Sequence, residues 1–139
     1  MRKFWALPPS ERRLLVVSLV LVGLIRVALS LMSLQRVRGL LEGVLAGAVG
    51  RAPDLSSVPP GRLHWAVAAA SRTIPGTRCL PRAIALEGLL KAAGIHSRLR
   101  VGVAVDADRM LSAHAWVETD EAVFDMGGEN RQFVPLPPF

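Results

Sequence analysis

A chain of 139 residues has room for one domain, and its 51% hydrophobic content is enough to bury a core without disulfide staples. The single cysteine, Cys79, excludes an internal disulfide, which is typical of a reducing compartment. The net charge is +6, but the chain has no Tyr and four Phe, so the interleaved aromatic residues of a base-stacking surface are missing. An acidic protein or peptide partner, or an anionic lipid surface, fits the charge better than nucleic acid does.

The first predicted element is a long hydrophobic helix. Two prolines precede it, Ser10 is expected to cap its first turn, and the apolar pattern continues to about Arg36. Residues 14–34 approach the length of a bilayer span. Arg26 lies in their middle, where insertion costs about 2.5–3.5 kcal/mol, and it also interrupts any signal peptide. We therefore expect a helix that packs on its own domain or on a partner, in a cytoplasmic protein that is at most peripheral to a membrane.

A linker divides the chain into an N-terminal arm and a core. A second helical stretch over residues 40–49 ends in Gly50. Residues 51–61 contain three prolines and two adjacent serines, a composition typical of linkers. The predicted division is a hydrophobic helical arm over residues 1–50, a linker over residues 51–61 and a core over residues 62–139.

The core starts with helices and continues with strands. Apolar residues repeat at helical spacing over residues 62–72 and again from Cys79 to Gly94, which is expected to end that helix as a left-handed cap. After Gly94 the pattern alternates between apolar and polar. The predicted strands cover residues 98–105, 111–119, 123–126 and, more briefly, 133–134. Helices followed by an antiparallel meander make an α+β fold.

Cys79 is placed at the start of a predicted helix. There the thiol meets unpaired backbone N–H groups and the positive end of the helix dipole, and both favour the thiolate, which is the nucleophilic form. Arg78 and Arg82 add positive charge beside it. A single cysteine is more often an inert small hydrophobic side chain than a nucleophile. Both interpretations therefore stay open until a partner base is found.

A thiol nucleophile needs a base, and the chain has three histidines. His64 lies in a predicted helix and His96 on the connection after Gly94, so we expect the first to be a structural or exposed helical residue and the second to be solvated. His114 lies in the middle of a predicted strand, between two alanines that leave room around an imidazole. His114 is therefore the candidate base.

Strand pairing selects a carboxylate that can orient His114. If the turn between the two strands closes a tight hairpin, Trp116 faces Asp125, and His114 and Asp125 become diagonal neighbours about 7–8 Å apart at the backbone. Glu118 shares that face but lies roughly 13 Å from His114 along the strand, and Asp120 is farther away. Asp125 is the predicted third member of a triad, with a plain strand-end acid as the alternative. A register shifted by one residue would remove the contact.

Two sequence runs carry a resemblance to a known family. Residues 79–83 read Cys-Leu-Pro-Arg-Ala, and residues 114–118 read His-Ala-Trp-Val-Glu. Together with the Leu-rich helix between them, they resemble the protease domain of lasso-peptide biosynthesis B proteins, which implies a transglutaminase-like (papain-like) cysteine protease fold. The resemblance covers residues 62–135. The N-terminal arm is similar to the helical lead-in of the stand-alone form, whose leader-recognition domain is a separate protein.

The resemblance implies a leader peptidase that acts on a ribosomally synthesised precursor peptide. Cys79 is then the nucleophile, His114 the general acid and base, and Asp125 the orienting acid, with the Cys79 backbone N–H as the generic oxyanion donor. No metal or other cofactor is implied. The implied partners are the leader peptide, a separate leader-recognition protein and an ATP-dependent lasso cyclase. We expect the basic arm to dock on one of these proteins or, alternatively, to cover the domain's own core.

Two other function classes stay open on the sequence alone. A different transglutaminase-fold enzyme, such as an acyl transferase or a peptidoglycan amidase, would accept a nucleophile other than water or a cell-wall substrate. A non-catalytic, membrane-associated assembly protein would make residues 14–34 the main feature of the chain. Retained function after Cys79→Ala would favour the non-catalytic class.

Overall fold

The computed structural model describes residues 2–48, 55–105, 108–125 and 134–135 of the chain. The helices of these residues are α1 (Arg2–Trp5), α2 (Pro9–Leu31), α3 (Leu34–Ala48), α4 (Pro60–Thr73) and α5 (Cys79–Ala92). Their strands are β1 (Ser97–Val105), β2 (Leu111–Thr119), β3 (Val123–Asp125) and β4 (Val134–Pro135). Helices precede strands, and the sheet is antiparallel, which confirms the predicted α+β fold class.

Helix α2 starts without the predicted cap. It begins at Pro9, after Pro8 in an extended conformation, and no side chain caps it. Ser10 lies inside the first turn, so the prediction of a Ser10 cap is wrong. Proline suits this position because its missing N–H is one that the first turn leaves unpaired in any case. Glu11 adds negative charge at the positive end of the helix dipole and forms an ion pair with Arg62 of α4.

Helix α2 also ends earlier than the apolar pattern predicts. It ends at Leu31 rather than near Arg36, because Met32 is extended, with φ −143° and ψ 167°. The carbonyl of Ser33 then accepts a hydrogen bond of 3.1 Å from the N–H of Val37 in the first turn of α3. The break between the two predicted helices therefore lies at residues 32–33 instead of after Arg36, and the second helix starts at Leu34 instead of near residue 40.

One stripe of α2 belongs to the core. Leu14, Ser18, Val22 and Ile25 recur at helical spacing and are buried, and α2 packs on α4 and α5. This confirms the alternative in which the arm covers the domain's own core. The division at residues 51–61 stays a prediction, and residues 51–54 lie outside the described part of the chain.

Helix α5 lies at the centre of the molecule. Residues 83–90 are all buried, as expected of a helix that other elements surround. Helices α2, α3 and α4 and strands β1 and β2 all pack on it. Gly94 has φ 79°, and the N–H of Ile95 bonds the carbonyl of Leu90 at 2.9 Å. This is the left-handed cap that the sequence predicts after α5.

The sheet has the strand order β3-β2-β1-β4, with antiparallel neighbours. Strand β4 pairs with β1 rather than following β3, so the predicted simple meander is wrong at its last strand. Val134, predicted in that strand, pairs with Val103. Met126 and Phe133, also predicted as strand residues, lie outside the described residues. The sheet packs into the core through five side chains: Leu99, Val101, Ala115, Val117 and Phe124.

Candidate active site

His114 lies in the middle of β2 and is almost completely buried, with 7% of its surface exposed. It alternates along the strand with Ala115 and Val117, which pack into the core. Its partner on β1 is Gly102, which is also buried. Because glycine has no side chain, this pairing leaves space beside the strand for the imidazole ring. Ala113 and Ala115 lie on the opposite face of β2, so the space beside the ring comes from Gly102 rather than from them.

His114 and Asp125 are in direct contact. Strands β2 and β3 pair with Trp116 opposite Asp125 and Glu118 opposite Val123, which is the predicted register. His114 Nε2 and Asp125 Oδ1 lie 2.5 Å apart, a short hydrogen bond. The exposed fraction is 8% for the His114 side chain and 48% for that of Asp125, so the carboxylate is open to solvent on one side. The structure thus brings together the predicted base and the predicted orienting acid.

Two further side chains support His114 on the same face. The Trp116 ring stacks near the imidazole, with centroids 6.3 Å apart and 24° between the ring planes. Trp116 Nε1 donates a hydrogen bond of 2.9 Å to Glu118 Oε1, and Arg100 Nε lies 3.6 Å from Glu118 Oε2. The sequence analysis weighed Glu118 only as a rival acid and gave Trp116 no role. Their positions two and four residues after His114, on one face of a strand, were the available signal.

Cys79 is the first residue of α5, and its side chain is partly buried against the core. Two side chains donate hydrogen bonds to backbone carbonyls of the turn before it. Arg82 Nη2 donates to the carbonyl of Thr77 at 3.0 Å, and Thr77 Oγ1 donates to that of Ile74 at 2.9 Å. The body of α5 packs on β2, the strand that carries His114. Cys79 therefore lies on the helix that packs against the strand of the predicted base.

Comparison with protein families agrees with this arrangement. The family model described as the transglutaminase-like superfamily matches residues 20–137. The chain belongs to the transglutaminase-like superfamily. This superfamily includes cysteine peptidases and acyltransferases. No curated protein and no solved structure matches the chain. The matched region starts inside α2, so it includes most of the N-terminal arm as well as the core.

The other histidines of this transglutaminase-like domain lie in structural or solvated positions, as predicted. The His64 ring in α4 packs against Phe124, with centroids 5.4 Å apart. His96 is exposed on the connection between α5 and β1. Among the residues that the structure describes, no three His, Cys, Asp or Glu side chains converge as a metal site requires. His114 is thus the histidine that the described contacts join to a carboxylate.

Proposed function

We propose that the chain is a cysteine peptidase that removes the leader from a ribosomally synthesised lasso-peptide precursor. Cys79 is the nucleophile, His114 the general acid and base, and Asp125 the residue that orients the imidazole. The hydrogen bond between His114 and Asp125 is the observation that carries the proposal, because it supplies the oriented base that a thiol nucleophile needs. Membership of the superfamily and the two sequence runs at residues 79–83 and 114–118 support it further.

The hydrogen bond between Asp125 and Nε2 of His114 determines which imidazole nitrogen faces the thiol in the proposed reaction. Since the carboxylate binds Nε2 of His114, proton exchange with the thiol runs through Nδ1. The Cys79 thiolate attacks the scissile carbonyl, and the backbone N–H of Cys79 is the oxyanion donor. His114 protonates the leaving amine, which leaves a thioester on Cys79. Water that His114 deprotonates then hydrolyses the thioester and restores the free thiol.

The partners of this peptidase belong to the same proposal. A stand-alone leader peptidase acts with a separate protein that binds the leader, and an ATP-dependent cyclase consumes the freed core peptide. The net charge of +6 favours acidic peptides and acidic protein surfaces by electrostatic steering. The proposed location is the cytoplasm, where precursor peptides are made.

Mass spectrometry of a lasso precursor peptide tests the proposal directly. The peptide is incubated with the protein and a leader-recognition protein, beside a matched sample that contains Cys79→Ala. We expect one cut between leader and core that is absent from the Cys79→Ala sample. If neither sample is cut although the recognition protein binds the leader, the peptidase proposal is wrong.

The same experiment separates hydrolysis from acyl transfer, which other members of the superfamily perform. In water enriched in ¹⁸O, hydrolysis of the thioester places one labelled oxygen in the new carboxyl group of the leader fragment. Acyl transfer to an amine produces an amide without the label. A leader fragment that carries an added amine instead of ¹⁸O would identify an acyltransferase that uses the same triad.

A further inference from the structure

A groove of about 440 Å³ lies beside the start of α5. Helix α2 supplies one wall through Arg26 and Leu31, and the opposite wall comes from Gly76 and Arg78 in the turn before α5. Cys79 directly follows Arg78. Leu80 and Pro81 also line the groove, so it lies beside the first turn of α5, which begins at Cys79, and two arginines line it.

Arg26 is held in this groove by its contact with a glycine. A side-chain carbon on Gly76 would lie 2.9 Å from Arg26 Nη2, so the guanidinium rests directly against the turn. Gly76 has φ 73°, a conformation that glycine adopts at no steric cost. The absence of a side chain at Gly76 thus serves both the turn and the close approach of Arg26. Arg26 therefore lies on the exposed side of α2, with its guanidinium against the turn before α5.

The two arginines have no acidic partner within the part of the chain that the structure describes. Neither Arg26 nor Arg78 forms an ion pair with a described carboxylate, and both residues are exposed. Described carboxylates that do form ion pairs bind other side chains: Glu11 with Arg62, Glu42 with Lys91, Glu87 with Arg38 and Lys91, Glu118 with Arg100, and Asp125 with His114. Guanidinium groups bind carboxylates through paired hydrogen bonds, so the groove suits a carboxylate ligand.

We propose that this groove binds an Asp or Glu side chain of the peptide substrate, next to the bond that Cys79 attacks. The inference rests on the proposed function, because it takes the ligand to be a peptide. Arg26 and Arg78 are the residues that set this specificity, and Leu31 offers an apolar wall for the rest of the segment. A peptide fits better than a lipid because Arg78, Leu80 and Pro81, which flank Cys79 in the chain, form the second wall of the groove.

Alkylation of Cys79 measures the charge of the groove without any turnover. The chain has one cysteine, so iodoacetate, which is anionic, and iodoacetamide, which is neutral, report on this thiol alone. We expect Arg26→Gln to lower the ratio of the iodoacetate rate to the iodoacetamide rate about threefold, as for the loss of one charge roughly 6 Å away in water. Added salt should lower the wild-type ratio as well. Arg26→Lys, which keeps the charge, should retain most of the ratio.

Arg13→Gln is the matched control, because it removes the same charge from the same helix about 20 Å from Arg26. It should leave the ratio unchanged. Equal ratios for Arg26→Gln, Arg13→Gln and the wild type would overturn the proposal. Glutamine has a helix propensity close to that of arginine, so both variants should fold.

Protection of Cys79 identifies the ligand class. Acetylated hexaglutamate should slow the reaction of the wild type with iodoacetamide, whereas a neutral Gly-Ser hexapeptide should not, and Arg26→Gln should lose the protection. Protection by phosphatidylglycerol vesicles without protection by hexaglutamate would assign the groove to lipid headgroups and overturn the proposal. A charge effect on alkylation without any leader cut would instead contradict the proposed function alone.

Discussion

In the proposed mechanism Asp125 acts through its hydrogen bond to His114, so its substitution should separate catalysis from folding. Asp125→Asn keeps the shape of the side chain but removes the charge that stabilises the imidazolium and fixes its tautomer. We expect the rate of leader cleavage to fall by up to about 10⁴-fold. Because nearly half of this side chain is exposed, the free energy of unfolding should change by no more than about 0.5 kcal/mol.

Asp120→Asn is the matched control for Asp125→Asn, since Asp120 is exposed in the turn between β2 and β3. Cleavage assays and urea unfolding of the two variants measure both quantities. A normal cleavage rate in Asp125→Asn would show that Asp125 is a strand-end acid without a role in the reaction. An equal loss in both variants would point to the hairpin rather than to the carboxylate.

Ser18 is a buried polar side chain in the core-facing stripe of α2. It is completely buried in the stripe of α2, and its hydroxyl makes no hydrogen bond with the described residues. Ser71 in α4 is also buried, but its Oγ donates to the carbonyl of Val67 at 2.6 Å. An unpaired buried hydroxyl costs about 1–3 kcal/mol. Ser18→Ala should therefore stabilise the fold by about 1 kcal/mol in urea unfolding, while Ser71→Ala should change it little. A loss of stability in Ser18→Ala would contradict this account.

Strand-pairing rules predict that Asp125 lies beside His114, whereas the contacts of Trp116 and Glu118 are visible only in the folded sheet. The alternation of side chains and one tight turn are enough to place Asp125 diagonally from His114, and the structure has this register. The stacking of Trp116 and its hydrogen bond to Glu118 depend on side-chain rotamers that no pattern fixes. The Ser10 cap fails for a similar reason, because the helix starts two residues earlier than the capping preference predicts.

At the scale of elements, a cluster of charges joins α3 to α5. The Glu87 side chain in α5 has 5% of its surface exposed, and Arg38 of α3 lies 2.7 Å from it. Lys91 lies 3.3 Å from Glu87 and 3.0 Å from Glu42 of α3. Arg38→Gln should destabilise the fold by about 2–3 kcal/mol, because it leaves a buried carboxylate with one partner. Urea unfolding of Arg38→Gln and Glu42→Gln measures the difference.

Glu42→Gln is the control within the same cluster, because 60% of the Glu42 side chain is exposed and an exposed pair contributes about 0.5 kcal/mol. The pKa of Glu42 is lowered by its hydrogen bond with Lys91. A carboxyl with a lowered pKa in the folded state contributes stability above its unfolded pKa and loses it as the pH falls through the folded pKa. The free energy of unfolding of Glu42→Gln should therefore fall less steeply than that of the wild type as the pH drops below about 4.5. If Arg38→Gln and Glu42→Gln lowered the free energy of unfolding equally at neutral pH, burial of the carboxylate would not determine the strength of these ion pairs.

The break between α2 and α3 is a feature that the apolar periodicity of the sequence does not predict. Residues 31–34 contain no proline or glycine, so the pattern predicts that the first helix continues to about Arg36. The structure ends α2 at Leu31 and lets α3 turn towards α5, where Arg38 and Glu42 meet charged partners. That turn depends on contacts between residues 49 positions apart in the chain, which a local pattern does not contain.

At the scale of the whole molecule, α2 has two different faces. It is the helix of the described residues that is long and apolar enough to cross a membrane, with a mean hydropathy of 2.6, although 22% of that window is buried in the domain. The buried stripe packs on α4 and α5, while Val20, Leu24 and Leu31 are exposed. The packed face makes α2 part of the domain. The cytoplasmic location and any peripheral contact of the outer face with a membrane stay predictions.

Deletion of the N-terminal arm should therefore unfold the domain. An arm used only for docking would, when deleted, weaken the binding of partner proteins and leave the fold intact. Leu14, Val22 and Ile25 fill the surface of α4 and α5, and burial of three such side chains contributes roughly 5–9 kcal/mol. This is comparable to the whole stability of a typical domain, about 5–15 kcal/mol. A chain without residues 2–50 should lose its cooperative thermal transition in circular dichroism, whereas a chain without residues 2–8 should keep it. A folded core in the longer deletion, with normal alkylation of Cys79, would instead support an arm that serves only for docking.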